Sequence, residues 1–287
     1  MRPLISAWLR HHGLPGWLAP TYFTLVVGCA VVALLIALRL AARDGEDLRH
    51  EARSLALAYL GALLGGYALE VLRSLPEALS QGSLAPCLSV GRAAYGGLLF
   101  SIALAVGYRL MHRLSVAAFL DRTMLGAGVT FLGVRIGCFL SGCDYGIPTA
   151  SFLGVRFPSG SLAAMDHAER GYVPLGAPSL PVHPTQLYEA FLAAGAALIA
   201  SQYLAGGRRD GTAFLSWIGL YALGRFLNEF LRGDESRGLY LGLSSAQYIS
   251  LALCGIVAVI LVQRLFAQRS GSTLWSVPLP EQPGVAK

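Results

Sequence analysis

Three stretches of this sequence set ionisable side chains into apolar runs. The first is Gly133-Val-Arg135-Ile-Gly137-Cys138-Phe-Leu-Ser141-Gly142-Cys143-Asp144-Tyr145-Gly146. The second is His183-Pro184-Thr185-Gln186-Leu187-Tyr188-Glu189, and the third is Tyr221-Ala-Leu-Gly224-Arg225-Phe-Leu-Asn228-Glu229-Phe-Leu-Arg232-Gly233-Asp234. A charge held at membrane depth is costly, so it marks a site or a pathway. The guanidinium fork suits phosphate. A carboxylate beside it can orient it, or act as a base where burial raises its pKa. Three such constellations on separate runs predict one shared interior site.

The third stretch is the most regular. Tyr221, Arg225, Asn228, Glu229 and Arg232 fall at i, i+4, i+7, i+8 and i+11, which predicts one helix side carrying all five. The bland alternative is an ion pair that only locks helix packing. In the second stretch, His183 is placed to cap a helix with Pro184 at its first position. Gln186 and Glu189 lie one turn apart, and Tyr188 lies between them in sequence. A histidine at a helix mouth is commonly structural; Glu189, nearly a turn into an apolar run, is the stronger candidate.

In the first stretch Arg135 and Cys138 are a turn apart, and Gly133, Gly137 and Gly142 permit close helix approach. Residues 141–146 read as an irregular turn. Cys138 and Cys143 can pair in an oxidising compartment, or bind metal with Asp144 and His183, but the spacing is no standard zinc pattern. Free, packed thiols are the default, and no metal is expected. A further stretch, Gly91-Arg92-Ala-Ala-Tyr95-Gly96-Gly97, offers a phenol beside a glycine pair that lets lipid or backbone come close.

The elements that position these residues follow from composition. The chain is 55% hydrophobic and 13% charged, with mean hydropathy +0.57. A soluble domain carries about 25% charged residues. The fold class predicted is all-α: a polytopic membrane protein with seven transmembrane helices and an outer-side loop or cap. The spans run roughly Tyr22–Leu40, Leu55–Leu72, Ala93–Met111, Met124–Leu140, Thr185–Leu204, Thr212–Leu231 and Leu243–Leu265. The first run is too long for a signal-peptide core and reads as a retained span. A short surface helix is expected before it. The net charge of +6 is scattered between apolar runs, which argues against a nucleic-acid patch. Cys29 and Cys254, inside apolar runs, read as small core residues.

Arginines are denser in alternate links, with Arg39, Arg43, Arg49, Arg53, Arg109, Arg113, Arg122, Arg208, Arg209, Arg264 and Arg269 on one side. That bias predicts a periplasmic N-terminus and a cytoplasmic C-terminus. It also puts residues 141–182 outside, where a link of that length is a functional cap or a mobile loop. Residues 1–269 are expected to form the membrane domain and residues 270–287 a disordered cytoplasmic tail.

The first three stretches, in this order and spacing, resemble the prolipoprotein diacylglyceryl transferase family from about Pro20 to Leu265. Such a resemblance implies a multi-pass protein of the bacterial inner membrane with its site facing the outer leaflet. It implies phosphatidylglycerol as donor, no cofactor, and the thiol of a prolipoprotein lipobox cysteine as acceptor, with glycerol phosphate released. Membrane lipids are the expected surroundings. Arg135 and Arg225 match positions around the lipid headgroup; Glu189, Glu229 and Tyr221 match polar site positions. The resemblance implies catalytic roles for Glu229, Glu189, Arg225 and Arg135. Tyr95, Gly96, Gly97, Cys138, Ser141, Gly142, Cys143, His183, Gln186, Tyr188, Tyr221, Asn228 and Arg232 are the expected substrate-binding set. Three positions depart from the family pattern: Tyr95 stands where it has His, Cys138 where it has Asn, and Cys143 where it has Glu. Tyr95 titrates too high to replace a histidine base. Glu229 is then the preferred base if phosphate occupies Arg225; paired with Arg225 it is a poor one, Glu189 and Asp144 are the other candidates, and the remaining alternative is an acceptor that arrives already activated. The departures keep open a divergent branch with another acceptor, or a non-catalytic lipid or lipoprotein binder. A small-anion transporter ranks last, since no internal repeat is visible.

Overall fold

The computed structural model describes residues 1–83, 94–207, 210–233 and 239–269, with a few helical side chains, including that of Tyr95, outside the description. Cys87, Arg92, Asp234 and the expected tail 270–287 also lie outside the described residues. The architecture is helical. In chain order, α1 is Arg2–His11, α2 Tyr22–Arg43, α3 Leu48–Gln81, α4 Ala94–Met111, α5 Val116–Ser141, α6 Leu162–Glu169, α7 Thr185–Ala205, α8 Thr212–Asn228 and α9 Ser245–Arg269. A two-stranded antiparallel hairpin, β1 Leu239–Tyr240 and β2 Leu243–Ser244, precedes α9.

Each segment expected as a span contains a long helix, but the helices differ in their fitness to cross a bilayer. Among the described residues four are both long and apolar enough: α2, α5, α7 and residues Ser245–Ala267 of α9. Helices α2 and α9 carry many exposed apolar residues, such as Val27, Val31 and Leu35 on α2 and Val259 and Val262 on α9. Helix α8 is shorter than expected. It ends at Asn228 and gives way to a 3₁₀ turn, Glu229–Leu231. Arg232 therefore leaves the helix face predicted for it: its backbone is extended and bridges Gly146. A second correction concerns α7. Pro184 is the cap residue rather than the first helical residue, and no side chain caps that end.

The chain divides into two compact units, residues 34–122 and residues 1–33 with 123–287. In the first, α3 packs along α4 around a core of Ala37, Leu55, Ala105 and Phe119. The glycine pair serves this packing: a Cβ on Gly97 would come within 2.8 Å of the Ala62 carbonyl oxygen, so α4 approaches the backbone of α3 there. Glu51 lies between Arg109 (3.0 Å) and Arg122 (2.9 Å), with all three side chains at most 1% exposed. Asp44 and Glu46 also reach Arg122. Two of the arginines counted as orienting charges are thus buried in ion pairs.

In the second unit α7 packs on α8 and α8 on α9. The link after α5 is folded rather than open. Tyr145, Phe157, Ala163 and Val182 form a small core joined by Phe139 and Met1. Pro148 and Val155 both bridge Val182, and Ser161 caps α6 by accepting from the Ala164 N–H. The buried His167 ring accepts the Leu180 N–H at Nδ1 (3.1 Å), and burial depresses its pKa.

Candidate active site

The site is built where α5, α7 and α8 of the second unit bring their charges together. Arg135 comes from the last turns of α5, Glu189 from the second turn of α7, and Tyr221 and Arg225 from the C-terminal half of α8. Spacing within one helix puts Tyr221 and Arg225 on a common side, and packing of α7 on α8 turns that side toward Glu189. One oxygen, Glu189 Oε1, receives Arg135 Nη2 (2.8 Å), Arg225 Nε (3.1 Å) and the Tyr221 hydroxyl (2.5 Å). Arg225 Nη1 donates to Glu229 one turn on. Glu189 is 1% exposed and Glu229 4%. A carboxylate this deep is tolerable because it is paired and hydrogen-bonded. Trp217 stacks parallel to Tyr221, and Phe131 meets the tyrosine edge-on, so the phenol is fixed from two sides.

Asp144 joins this cluster to the folded link. Its Oδ2 accepts from Arg135 Nη1 and its Oδ1 from Arg232 Nη2, each at 2.7 Å. Burial disfavours the charged carboxylate, but Arg232 and Arg135 outweigh it and hold the Asp144 pKa below the ordinary value. The backbone of Asp144 is left-handed, φ +58°. Thr185 Oγ1 donates to its carbonyl (2.6 Å), and Gln186 Nε2 to that of Cys143 (2.5 Å). Asn228 Nδ2 donates to the Thr185 carbonyl (3.2 Å). The buried Arg135 Nε, Gln186 Oε1 and Asn228 Oδ1 find no hydrogen-bond partner among the described residues.

Of the expected site residues, Arg135, Glu189, Tyr221, Arg225 and Glu229 meet in one contact network. Arg232 enters through Asp144, and Gln186 and Asn228 support the same turn. Ser141 ends α5, and Gly142 follows at φ +77°. Cys138 and Cys143 are free thiols next to Asp144. His183 stands apart from those thiols and contacts the Tyr188 hydroxyl through Nδ1 (3.1 Å). The thiols and the Asp144 carboxylate have ligand atoms within 4.8 Å of one another. Both Asp144 oxygens are already matched by arginines, and two cations so close oppose a metal ion. Tyr95, Gly96 and Gly97 belong to the other compact unit, and the Tyr95 side chain lies outside the described residues. The contributions of Thr185, Trp217 and Phe131 were not marked by any sequence signal except helical spacing from Tyr221 for Trp217.

Helices long and apolar enough to cross a membrane, two of which (α5 and α7) join α8 in holding a buried arginine–carboxylate cluster, define the class as a helical membrane protein. Comparison with known proteins narrows the class. The profile of the family described as prolipoprotein diacylglyceryl transferase matches residues 17–263. A phosphatidylglycerol–prolipoprotein diacylglyceryl transferase of Clostridium tetani is 26% identical over 227 residues, spanning 79% of this chain and 86% of that protein. A second, from Clostridium perfringens, is 27% identical over 80% of this chain and 85% of its own length. One from Geobacter sulfurreducens is 31% identical over 61% of this chain and 62% of its own. The chain belongs to the prolipoprotein diacylglyceryl transferase family.

Proposed function

We propose that this protein transfers the diacylglyceryl group of phosphatidylglycerol to the cysteine thiol of a prolipoprotein lipobox. The acceptor sulfur attacks the glyceryl carbon that carries the phosphate. A C–S bond forms, the C–O bond to phosphate breaks, and glycerol phosphate leaves with the bonding electrons. The thiol proton goes to a carboxylate. The observation that carries this reading is the convergence of Arg135 and Arg225, from different helices, on the single oxygen Glu189 Oε1. Cations fixed in place before reaction stabilise charge that develops on a leaving phosphate, and the planar forks suit its oxygens. An incoming phosphate competes with Glu229 for Arg225. Glu229, once displaced, is the group placed to take the thiol proton; Glu189 stays behind as the anchor that orients both arginines. Gln186, Asn228 and Arg232 hold the Asp144 turn against this cluster, and Ser141, Gly142, His183 and Tyr188 form its surroundings. Tyr95, Gly96 and Gly97 enter the reading through the family resemblance.

In the same reading α3, α4 and α8 complete a seven-span domain over residues 1–269 in the bacterial inner membrane. The N-terminus and the folded link 141–182 face the periplasm and the C-terminus the cytoplasm, in keeping with the arginine bias. A cysteine introduced at Phe152, 95% exposed in that link, should react with an impermeant maleimide in intact cells. Labelling only after the inner membrane is opened would reverse the orientation.

The function is tested with purified protein, phosphatidylglycerol labelled in its glyceryl and headgroup carbons, and a lipobox peptide. Mass spectrometry should find the diacylglyceryl label on the peptide thiol and the headgroup label in glycerol phosphate. An unmodified peptide beside bound lipid would favour a second reading, a lipid binder or a transferase with another acceptor. That reading draws on Tyr95, Cys138 and Cys143, which stand where the family pattern has His, Asn and Glu.

A further inference from the structure

Helix α5 ends in a turn that sets two thiols against each other. Gly142 takes φ +77°, and the N–H groups of Gly142 (2.8 Å) and Cys143 (3.2 Å) both donate to the Cys138 carbonyl. A helix end of this kind brings the third residue before its cap against the second residue after it, and that contact is ordinarily hydrophobic. Here both positions are cysteines. The sulfurs lie within 4.8 Å of each other, and the Cys143 thiol donates to the Cys138 carbonyl at 3.7 Å. The two are unequal. Cys138 is 5% exposed, whereas Cys143 is only half-buried. A hydrogen bond donated by the Cys138 side chain to the Cys143 sulfur draws the Cys143 thiol below its ordinary pKa, against the opposing effect of burial. An accessible thiol of lowered pKa in front of a buried one is the division of labour of a thiol–disulfide exchange pair. The transfer described above consumes neither.

We propose that Cys138 and Cys143 form a redox-active dithiol whose substrate is a disulfide-blocked acceptor cysteine, which it returns as the free thiol. The proposal rests on the acceptor being a thiol. In an oxidising compartment such a thiol is open to capture as a mixed disulfide, and in that form its sulfur is no nucleophile. The Cys143 thiolate attacks the sulfur of the blocking group. The acceptor leaves as thiolate and takes a proton, and Cys143 keeps the blocking group as a mixed disulfide. Cys138 then attacks the Cys143 sulfur, giving up its proton, and the blocking thiol departs protonated. One disulfide and two protein thiols become two free thiols and a Cys138–Cys143 disulfide, with two electrons passed to the substrate. An external dithiol resets the pair by the same exchange. The released acceptor sulfur is next to Asp144, which Arg135 ties to the transfer cluster.

The test uses the full-length protein, reduced and held in lipid nanodiscs under argon, with a lipobox peptide capped on its cysteine by glutathione. Free peptide should appear about tenfold or more faster than with Cys143→Ser, in amounts matching the protein. Peptide mapping should place the new disulfide between Cys138 and Cys143, and Cys138→Ser should stop at glutathionylated Cys143. The mapping on unsubstituted protein does not depend on how the variants fold. A capped peptide that persists, or a disulfide that maps to Cys29, Cys87 or Cys254, overturns the proposal. Uncapped peptide with phosphatidylglycerol, run in parallel, reads transfer separately. Transfer without uncapping refutes only the dithiol; uncapping without transfer refutes the transferase reading.

Discussion

Arg232 stands 88 residues after Asp144 in the sequence and 2.7 Å from it in space, Nη2 to Oδ1. The contact fastens the segment after α8 to the turn after α5, and backbone bonds reinforce it. The Ile147 N–H donates to the Leu231 carbonyl and the Gly233 N–H to that of Tyr145. Asp144 so held gives its second oxygen to Arg135. The guanidinium at the centre of the cluster is thereby positioned by a residue from the folded link.

Asp144 should set an acid limit to stability. Its folded pKa is depressed, so its contribution is fully present above the unfolded value of about 3.9 and is lost as pH falls through the folded value. The difference in melting temperature between the unsubstituted protein and Asp144→Asn should hold constant from neutral pH to about 5 and shrink below about 4. A difference that grows on acidification would contradict the ion-pair geometry.

Arg225→Lys keeps the charge but removes the fork that spans Glu189 and Glu229. Phosphatidylglycerol binding should weaken about tenfold to a hundredfold, the range for a lost charged hydrogen bond. Equal affinity in a nanodisc titration would remove Arg225 from the headgroup site.

Glu229 and Tyr221 should separate by the size of their effects. Glu229→Gln should lower turnover about 10²–10⁴-fold, as for loss of a general base. Tyr221→Phe deletes one hydrogen bond to Glu189 and should cost about tenfold or less. The reverse ranking would move the base to Glu189.

Much of the cluster was legible because helical spacing is local. Arg225 and Glu229 are one turn apart, and their pairing could be read from the sequence. The sharing of Glu189 by Arg135 and Arg225 could not, since it depends on how α5, α7 and α8 pack. Arg232 shows where periodicity misleads. The pattern continued to i+11, but the backbone left the helix at Asn228, and Arg232 reached the site through the folded link instead. The pairing of Glu51 with Arg109 and Arg122 was hidden for another reason. In links between apolar runs, charges were read for their sum on each side, and a sum carries no information about partners.

That buried triad gives a prediction independent of the active site. Glu51→Gln leaves two arginines, Arg109 and Arg122, short of their shared carboxylate in a place closed to water. Loss of one partner of a buried pair costs about 3–5 kcal/mol. Thermal unfolding in detergent should show a clear fall in melting temperature, while Arg53→Gln, at an exposed position on the same helix, should change it little. Equal melting temperatures for the two variants would show that the triad carries no stability.

The pairing of every charge in the cluster bears on the end of the reaction cycle. Arg135, Arg225 and Arg232 face Asp144, Glu189 and Glu229, three cations against three anions. At rest the ensemble is neutral. In the proposed reaction an anionic lipid therefore enters by an exchange of partners and not by surplus positive charge: Arg225 turns to the phosphate and uncovers Glu229. Once Glu229 has passed the thiol proton on to water, its carboxylate is again free to reclaim Arg225 and displace the leaving group. On that reading the resting Arg225–Glu229 pair acts as a spring for product release, so turnover need not wait on a trapped phosphate.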